Sequence, residues 1–273
     1  MIPDYYTLSS DDLGRNSKVP ILKVTEKGEL FYEFALEMIE GIRKNNAEGR
    51  QTVYILPVGP TGQYPGFVRM VNRYRVNLRN CWFINMDEYL NPDWTWIDKR
   101  NPLSFRGFMD RTVYGKIDPD LLMPENQRVF PDPARPEDVT MLVEKLGGVD
   151  AAFGGMGING HIAFNEARSD LSVAEFADLP TRVLELSRET ITANAISETA
   201  GALDLIPTKA VTVGMREILA AKKVRIAMLR AWHPAGVRRA AYGEVSASFP
   251  ASLLQHHPDA MLFVDAVSAA KPF

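Results

Sequence analysis

The chain has 273 residues and 46% of them are hydrophobic, so it can bury a full core, and we expect one domain covering residues 1–273. A net charge of -3 excludes a general electrostatic attraction to nucleic acid or to an anionic membrane, and no apolar run is long enough to span a bilayer. The single cysteine, Cys81, cannot form an intrachain disulfide, and residues 1–18 lack the apolar core of a signal peptide, so the protein is predicted to be cytoplasmic.

Short apolar runs alternate with segments of helical spacing along the whole chain. The predicted strands cover residues 19–24, 52–58, 81–86, 128–130, 149–153, 181–186, 223–229 and 260–265. The first predicted helix begins at Phe31, and the others cover residues 67–74, 104–114, 136–146 and 188–196. This alternation predicts an α/β fold with three layers, in which helices cover both faces of a mostly parallel sheet.

The predicted strand at 52–58 runs into a loop that contains Gly59, Thr61, Gly62 and Gln63. A strand, a Gly/Thr loop and a helix can together bind a phosphate, because unpaired backbone N–H groups and the positive end of the helix dipole converge there. Pro60 removes one such N–H donor. We predict a phosphate-binding loop, and an ordinary turn between strand and helix is the alternative.

Two adjacent carboxylates, Asp87 and Glu88, follow the predicted strand at 81–86. Successive side chains of extended backbone point to opposite faces, so only one of the two can face a given pocket. We therefore predict that one carboxylate faces a substrate and the other a structural partner. A solvated turn or a helix cap is the alternative for the pair.

The polar segment 90–103 contains Trp94 and Trp96 beside this predicted site. Tryptophan is favoured at binding surfaces, so the segment is interpreted as a lid or an oligomer contact. The alternative is that both rings cover core surface.

A glycine-rich segment, residues 154–166, follows the apolar run at 149–153 and reads G-G-M-G-I-N-G-H-I-A-F-N-E. Ligands of open α/β sheets bind at the carboxyl ends of the strands, which is where this segment lies. It holds His161 and Glu166 together with the carboxamides of Asn159 and Asn165, so it can supply an acid/base pair and its orienting groups. A glycine-rich turn with a buried, hydrogen-bonded histidine is the alternative.

The string G-x-G-x-N-G-H-I-A-F-N-E, together with N-M-D-E-Y at 85–89, resembles the signature of the glucosamine-6-phosphate deaminase (isomerase) family, within a larger group that includes 6-phosphogluconolactonases. The resemblance implies a Rossmann-like sheet and the conversion of a 2-amino-2-deoxy aldose 6-phosphate into a ketose phosphate and ammonia. It also implies that His161 opens the sugar ring, Glu166 orients His161, and Asp87 transfers the proton. Asn159 belongs to the histidine's partner network, where many members have aspartate. The loop from Gly59 to Gln63 would hold the phosphate.

No cofactor and no metal are expected, since the four histidines lack metal-binding spacing. The expected partner is a small sugar phosphate, and the sequence leaves open whether the protein forms a homo-oligomer.

The chain departs from the family pattern at Pro234, which stands where members usually carry a phosphate-binding lysine. Nearby cations are Arg188, Arg230, His233 and Arg238, and an exposed surface position is the alternative for each. Two other functions therefore stay open: a sugar-binding homologue without turnover or with altered specificity, and, less favoured, a sugar-lactone hydrolase.

Overall fold

The computed structural model describes residues 2–273. Its strands are β1 (Ile21–Lys23), β2 (Thr52–Leu56), β3 (Cys81–Asn85), β4 (Asp87–Leu90), β5 (Arg128–Val129), β6 (Ala151–Gly155), β7 (Arg182–Glu185), β8 (Lys209–Thr212), β9 (Val224–Met228) and β10 (Ala260–Val264). Seven of them form one parallel sheet in the order β1, β10, β9, β6, β2, β3, β5. All-parallel sheets need cover on both faces, which the helices supply.

The helices are α1 (Lys27–Ala47), α2 (Gln63–Arg73), α3 (Phe105–Thr112), α4 (Glu137–Lys145), α5 (Val173–Ala177), α6 (Arg188–Glu198), α7 (Met215–Leu219), α8 (His233–Tyr242) and α9 (Ala266–Ala269). The strands present alternate side chains to two separate apolar cores. In β2, Val53 and Ile55 join the core under α4, α7 and α8, whereas Tyr54 and Leu56 join the core under α1 and α2. The predicted three-layer α/β fold with a mostly parallel sheet is confirmed.

A second, smaller sheet consists of β4, β8 and β7, all antiparallel. No strand is predicted at 87–90 from the sequence, because two carboxylates in four residues hide the apolar alternation. The chain leaves the large sheet after Asn85 and pairs Asp87 with Thr212 of β8. The small sheet and α6 enclose a third apolar cluster, which includes Tyr89 and Phe164.

Helix α1 begins at Lys27, four residues before the predicted start at Phe31. Its first turn is polar and exposed apart from Leu30, so apolar spacing alone does not reveal it. This extra turn brings Lys27 to the carboxyl edge of the large sheet. Within residues 2–273, no helix combines the length and the apolar character needed to cross a membrane.

Candidate active site

A cavity of about 460 Å³ opens at the carboxyl edge of the large sheet. Its floor is built from residues at or just after the ends of β2, β6 and β9, among them Val58, Gly155 and Leu229. The small sheet and α6 form the opposite wall. Asp87 and His161 both line this cavity, so the two predicted catalytic side chains converge although 74 positions separate them in the chain.

The Asp87 side chain is only 7% exposed and no group of residues 2–273 donates a hydrogen bond to its carboxyl. Burial raises the pKa of Asp87 to about 8, and the neighbouring negative charge of Glu88 adds to the shift. A carboxyl with a pKa near neutrality can both accept and return a proton, which is what a general base in a shuttling role requires. Among residues 2–273 this carboxyl has no hydrogen-bond partner, so a ligand in the cavity can bind it.

Glu88 faces the other way and is fully buried. Its carboxylate accepts hydrogen bonds from the Ser104 hydroxyl at 2.8 Å and from the backbone N–H groups of Phe105 and Arg106 at 3.0 and 2.9 Å. The Arg106 guanidinium lies 3.3 Å away. Glu88 therefore holds the N-terminus of α3, where a negative charge is favourable. As the extended backbone predicts, the two carboxylates face opposite ways, with Asp87 at the cavity and Glu88 on structural partners; that Asp87 faces a substrate stays a prediction.

The His161 ring packs flat on Gly157, where an added Cβ would come within 2.0 Å of the ring, so only glycine fits there. Asn159 bridges His161 to Glu166: its Oδ1 lies 2.8 Å from Nδ1 of His161, and its Nδ2 donates to Glu166 at 2.7 Å. Thr190 of α6 also contacts Nδ1, at 3.2 Å. Gly157, Asn159 and Thr190 together fix the plane of the imidazole.

The Glu166 carboxylate determines the tautomer of His161. Burial raises its pKa, but hydrogen bonds from His161 and Asn159 outweigh this effect and bring the pKa down to about 2. An ionised carboxylate only accepts, so the Asn159 amide must turn its nitrogen to Glu166 and its oxygen to His161. Nδ1 of His161 then carries the hydrogen, and in the neutral ring Nε2 keeps a lone pair for a ligand in the cavity.

The loop after β2 contributes only its first half to the cavity. Val58, Gly59 and Thr61 line the cavity, whereas Gly62 lies under the Phe31 ring and Gln63 is 1% exposed. The Gln63 amide donates to the Pro60 carbonyl at 2.7 Å, so it braces the loop from behind. Of the four predicted phosphate-binding residues, Gly59 and Thr61 are the two in reach of a ligand.

Two of the cations near position 234 are structural. Arg238 is fully buried and donates to the backbone carbonyls of Leu8, Ala269 and Ala270, which ties both chain ends to α8. His233 receives a hydrogen bond from the Arg230 N–H at Nδ1 and donates from Nε2 to a carbonyl at 2.9 Å. Burial lowers the pKa of His233 to about 4, so it stays neutral.

The two tryptophans of segment 90–103 do not line the cavity. Trp96 donates to the Pro131 carbonyl at 3.0 Å and lies under the Arg106 guanidinium, 4.3 Å from ring centre to cation. Trp94 stacks with Lys209 at 4.0 Å. The end of the segment, Pro102 and Leu103, does form part of the cavity wall.

Helix α6 supplies lining residues that the sequence analysis did not single out. Thr190 contacts His161, and Asn194 donates to the Tyr89 hydroxyl at 2.8 Å. Ser197 and Glu198 continue the same face along the cavity. The spacing of 190, 194, 197 and 198 is that of one helix face, but polar residues at such spacing look like an ordinary solvated face in a sequence.

A parallel α/β sheet that carries a buried carboxyl and an oriented imidazole at its carboxyl edge defines an acid–base enzyme for a small polar substrate. No protein-family model matches the chain. A glucosamine-6-phosphate deaminase from Clostridium perfringens is 30% identical over 239 residues, which cover 85% of this chain and 90% of that protein. The chain belongs to the glucosamine-6-phosphate deaminase family.

Two solved structures share the fold of this chain. A monomeric glucosamine-6-phosphate deaminase is 25% identical and superimposes with a TM-score of 0.79 over 92% of this chain and 99% of that one. A 6-phosphogluconolactonase from Trypanosoma brucei shares the fold, with 16% identity and a TM-score of 0.63 over 91% of this chain and 97% of that one.

Proposed function

We propose that the protein converts a 2-amino-2-deoxy aldose 6-phosphate, glucosamine 6-phosphate or a close relative, into the ketose phosphate and ammonia. One observation carries the proposal: the buried carboxyl of Asp87, which accepts no hydrogen bond from residues 2–273, shares a cavity with His161, whose ring is oriented by Asn159 and Glu166. Isomerisation needs such a pair, because one group must open the ring and another must move a carbon-bound proton.

Ring opening is the task of His161. Its Nε2 lone pair accepts the proton of the sugar's O1 hydroxyl and a proton returns to the ring oxygen, so the C1–O5 bond breaks and the open aldose forms. The Glu166 carboxylate faces the same imidazole, 3.5 Å from Nδ1, and stabilises the positive charge that the ring carries between the two transfers.

Asp87 then moves the proton from C2 to C1. Its ionised carboxylate removes the C2 proton, the electron pair forms the C1–C2 double bond of an enolamine, and the C1=O1 π electrons move to O1. The protonated carboxyl then returns the proton to C1, while the nitrogen lone pair forms the C2=N double bond and the nitrogen gives up one proton to O1. The product is an imine at C2. Water adds there and ammonia leaves, so the sum consumes one water and needs no oxidant or reductant.

The direct test is to incubate the protein with glucosamine 6-phosphate and to measure ammonia and fructose 6-phosphate in parallel. Equal amounts of both products support the proposal. Binding without turnover would replace it by a sugar-binding function. Hydrolysis of 6-phosphogluconolactone in the absence of ammonia release would replace it by lactone hydrolysis.

The pH dependence should reflect Asp87. The pKa of Asp87 is about 8 and the base must be ionised, so kcat/KM should rise as the pH increases toward 8 and level off above it. Below this pKa the expected slope is about tenfold per pH unit, because kcat/KM follows the ionised fraction in the free enzyme. The residual activity of Asp87→Asn is the control, and its kcat/KM should not rise with pH in this range. If the same rise appears in that variant, the rise belongs to the titration of another group.

Asn159 acts as a positioning residue for His161. Asn159→Leu removes the bridge to Glu166, so kcat should fall about tenfold to a hundredfold, part of what a general base contributes, with little change in KM. Asn159→Asp keeps an oxygen near Nδ1 but replaces the donor to Glu166 by a second carboxylate, so it should recover only part of the rate. Equal losses in both variants, or a loss confined to KM, would argue against a role in orienting the imidazole.

We also infer that the protein acts in the cytoplasm as one domain. The support is that the chain has one cysteine, Cys81, and so no intrachain disulfide, as is usual for proteins of a reducing compartment. Size-exclusion chromatography with light scattering decides between a monomer and a homo-oligomer.

A further inference from the structure

Two side chains, Lys27 and Arg230, are the only lysine and arginine of residues 2–273 that line the cavity. Lys27 is the first residue of α1 and is exposed, and Arg230 follows β9 with 46% of its side chain exposed. They come from distant parts of the sequence and meet at the same cavity only through the tertiary structure. Lysine and arginine side chains each carry several N–H donors that an anion can accept.

Phe31 holds Lys27 close to the loop after β2. The Lys27 ammonium lies 5.6 Å from the centre of the Phe31 ring, one turn further along α1. The ring in turn packs on Gly62, where an added Cβ would lie 2.1 Å from a ring atom. This contact requires a glycine at 62 and fixes the start of α1 beside Gly59 and Thr61, which line the same cavity.

Arg230 is paired with a carboxylate of the cavity wall. Its guanidinium lies 3.4 Å from Glu198, the last residue of α6, and the Glu198 side chain is 49% exposed. Ion pairs this accessible contribute little to stability, because water and salt screen them. A doubly charged phosphate can therefore replace Glu198 as the partner of Arg230 at small cost.

We propose that Lys27 and Arg230 bind the phosphate of the substrate, and that the phosphate displaces Glu198 from Arg230 when it binds. The inference rests on the proposed function, because it assigns the anionic group of that substrate. Pro234 is buried and has no donor, and the buried His233 and Arg238 are held by backbone groups, so the cation that position 234 lacks comes from elsewhere in the chain.

The first experiment removes each cation in turn. Lys27→Met and Arg230→Met should each raise the KM for glucosamine 6-phosphate about tenfold, the effect of one lost charge-assisted contact, and leave kcat nearly unchanged. Turnover of unphosphorylated glucosamine should not respond. Two exposed residues that do not line the cavity provide matched controls on the same helix or wall: Lys44→Met on α1 and Arg188→Met on α6.

The second experiment removes the internal competitor. Glu198→Gln keeps the shape of the side chain but frees Arg230, so the KM for glucosamine 6-phosphate should fall by about twofold to fivefold, the range of an exposed ion pair. A rise in KM, or no change, would show that Glu198 does not compete with the phosphate and would overturn that part of the proposal.

Binding of inorganic phosphate, measured by calorimetry, separates this proposal from the proposed function because it needs no turnover. Phosphate binding that is lost in Lys27→Met and Arg230→Met supports the assignment even if no amino sugar phosphate is converted. Efficient turnover of glucosamine 6-phosphate with both variants unchanged overturns the assignment and leaves the function standing. If the unmodified protein neither binds phosphate nor converts glucosamine 6-phosphate, the phosphate assignment and the proposed function are both overturned.

Discussion

Asp87→Asn should lower kcat for ammonia release by about 10² to 10⁴-fold, the contribution of one general base, and leave the fold intact. The amide fills the same space, but it cannot take the C2 proton. Because no group of residues 2–273 is hydrogen bonded to the Asp87 carboxyl, the substitution breaks no contact in the protein. Steady-state kinetics with circular dichroism as a control for folding provide the measurement. Unchanged ammonia release would show that Asp87 is not the base.

The same variant should be more stable than the unmodified protein above neutral pH. The folded-state pKa of Asp87, about 8, lies above its ordinary value of 3.8, so the folded state binds the proton more tightly than the unfolded chain. The stability from this group is therefore complete below about pH 4 and is lost as the pH rises through 8. Asp87→Asn removes this dependence. Thermal unfolding at pH 5 and pH 9 should show a clearly larger Tm gain of the variant at the higher pH, and a lower Tm at both would contradict the assigned burial cost.

Glu88→Ala should destabilise the protein by about 3 to 5 kcal/mol, the usual cost of removing one partner from a buried ion pair. The guanidinium of Arg106, 12% exposed, would lose its carboxylate, and the first N–H groups of α3 would lose their acceptor. Urea unfolding gives the measurement. Glu88→Gln is the matched control, because its amide oxygen can still accept part of these hydrogen bonds. Its free energy of unfolding should lie between that of the unmodified protein and that of Glu88→Ala.

Substitutions at the two neighbouring carboxylates should therefore have opposite effects on turnover and stability. Asp87 variants should lose turnover and keep stability, whereas Glu88 variants should lose stability first. A stable Glu88→Ala protein that has lost turnover would mean that Glu88, and not Asp87, reacts with the substrate. This comparison uses adjacent positions with the same charge, so general electrostatic effects largely cancel.

Much of the fold follows from local sequence patterns. The alternation of short apolar runs with helical segments predicts the parallel sheet, because such runs are stable only when both faces are covered. The helix at 104–114 and the strand at 181–186 are found within two residues of their predicted bounds, as α3 and β7. The strand β4 is not predicted, since its four residues have no apolar pattern and owe their conformation to pairing with β8.

The amino-acid pattern also identifies the family, through the two motifs at 85–89 and 154–166, and it indicates that Asp87 and Glu88 face opposite ways. Which of the two carboxylates lies in the cavity depends on the direction in which β4 enters the small sheet, and that is visible only in the folded protein. The tertiary structure likewise places Gln63 behind the loop and Lys27 at the cavity. These positions depend on contacts between residues far apart in the chain, such as Phe31 and Gly62, and no local pattern carries information about such contacts.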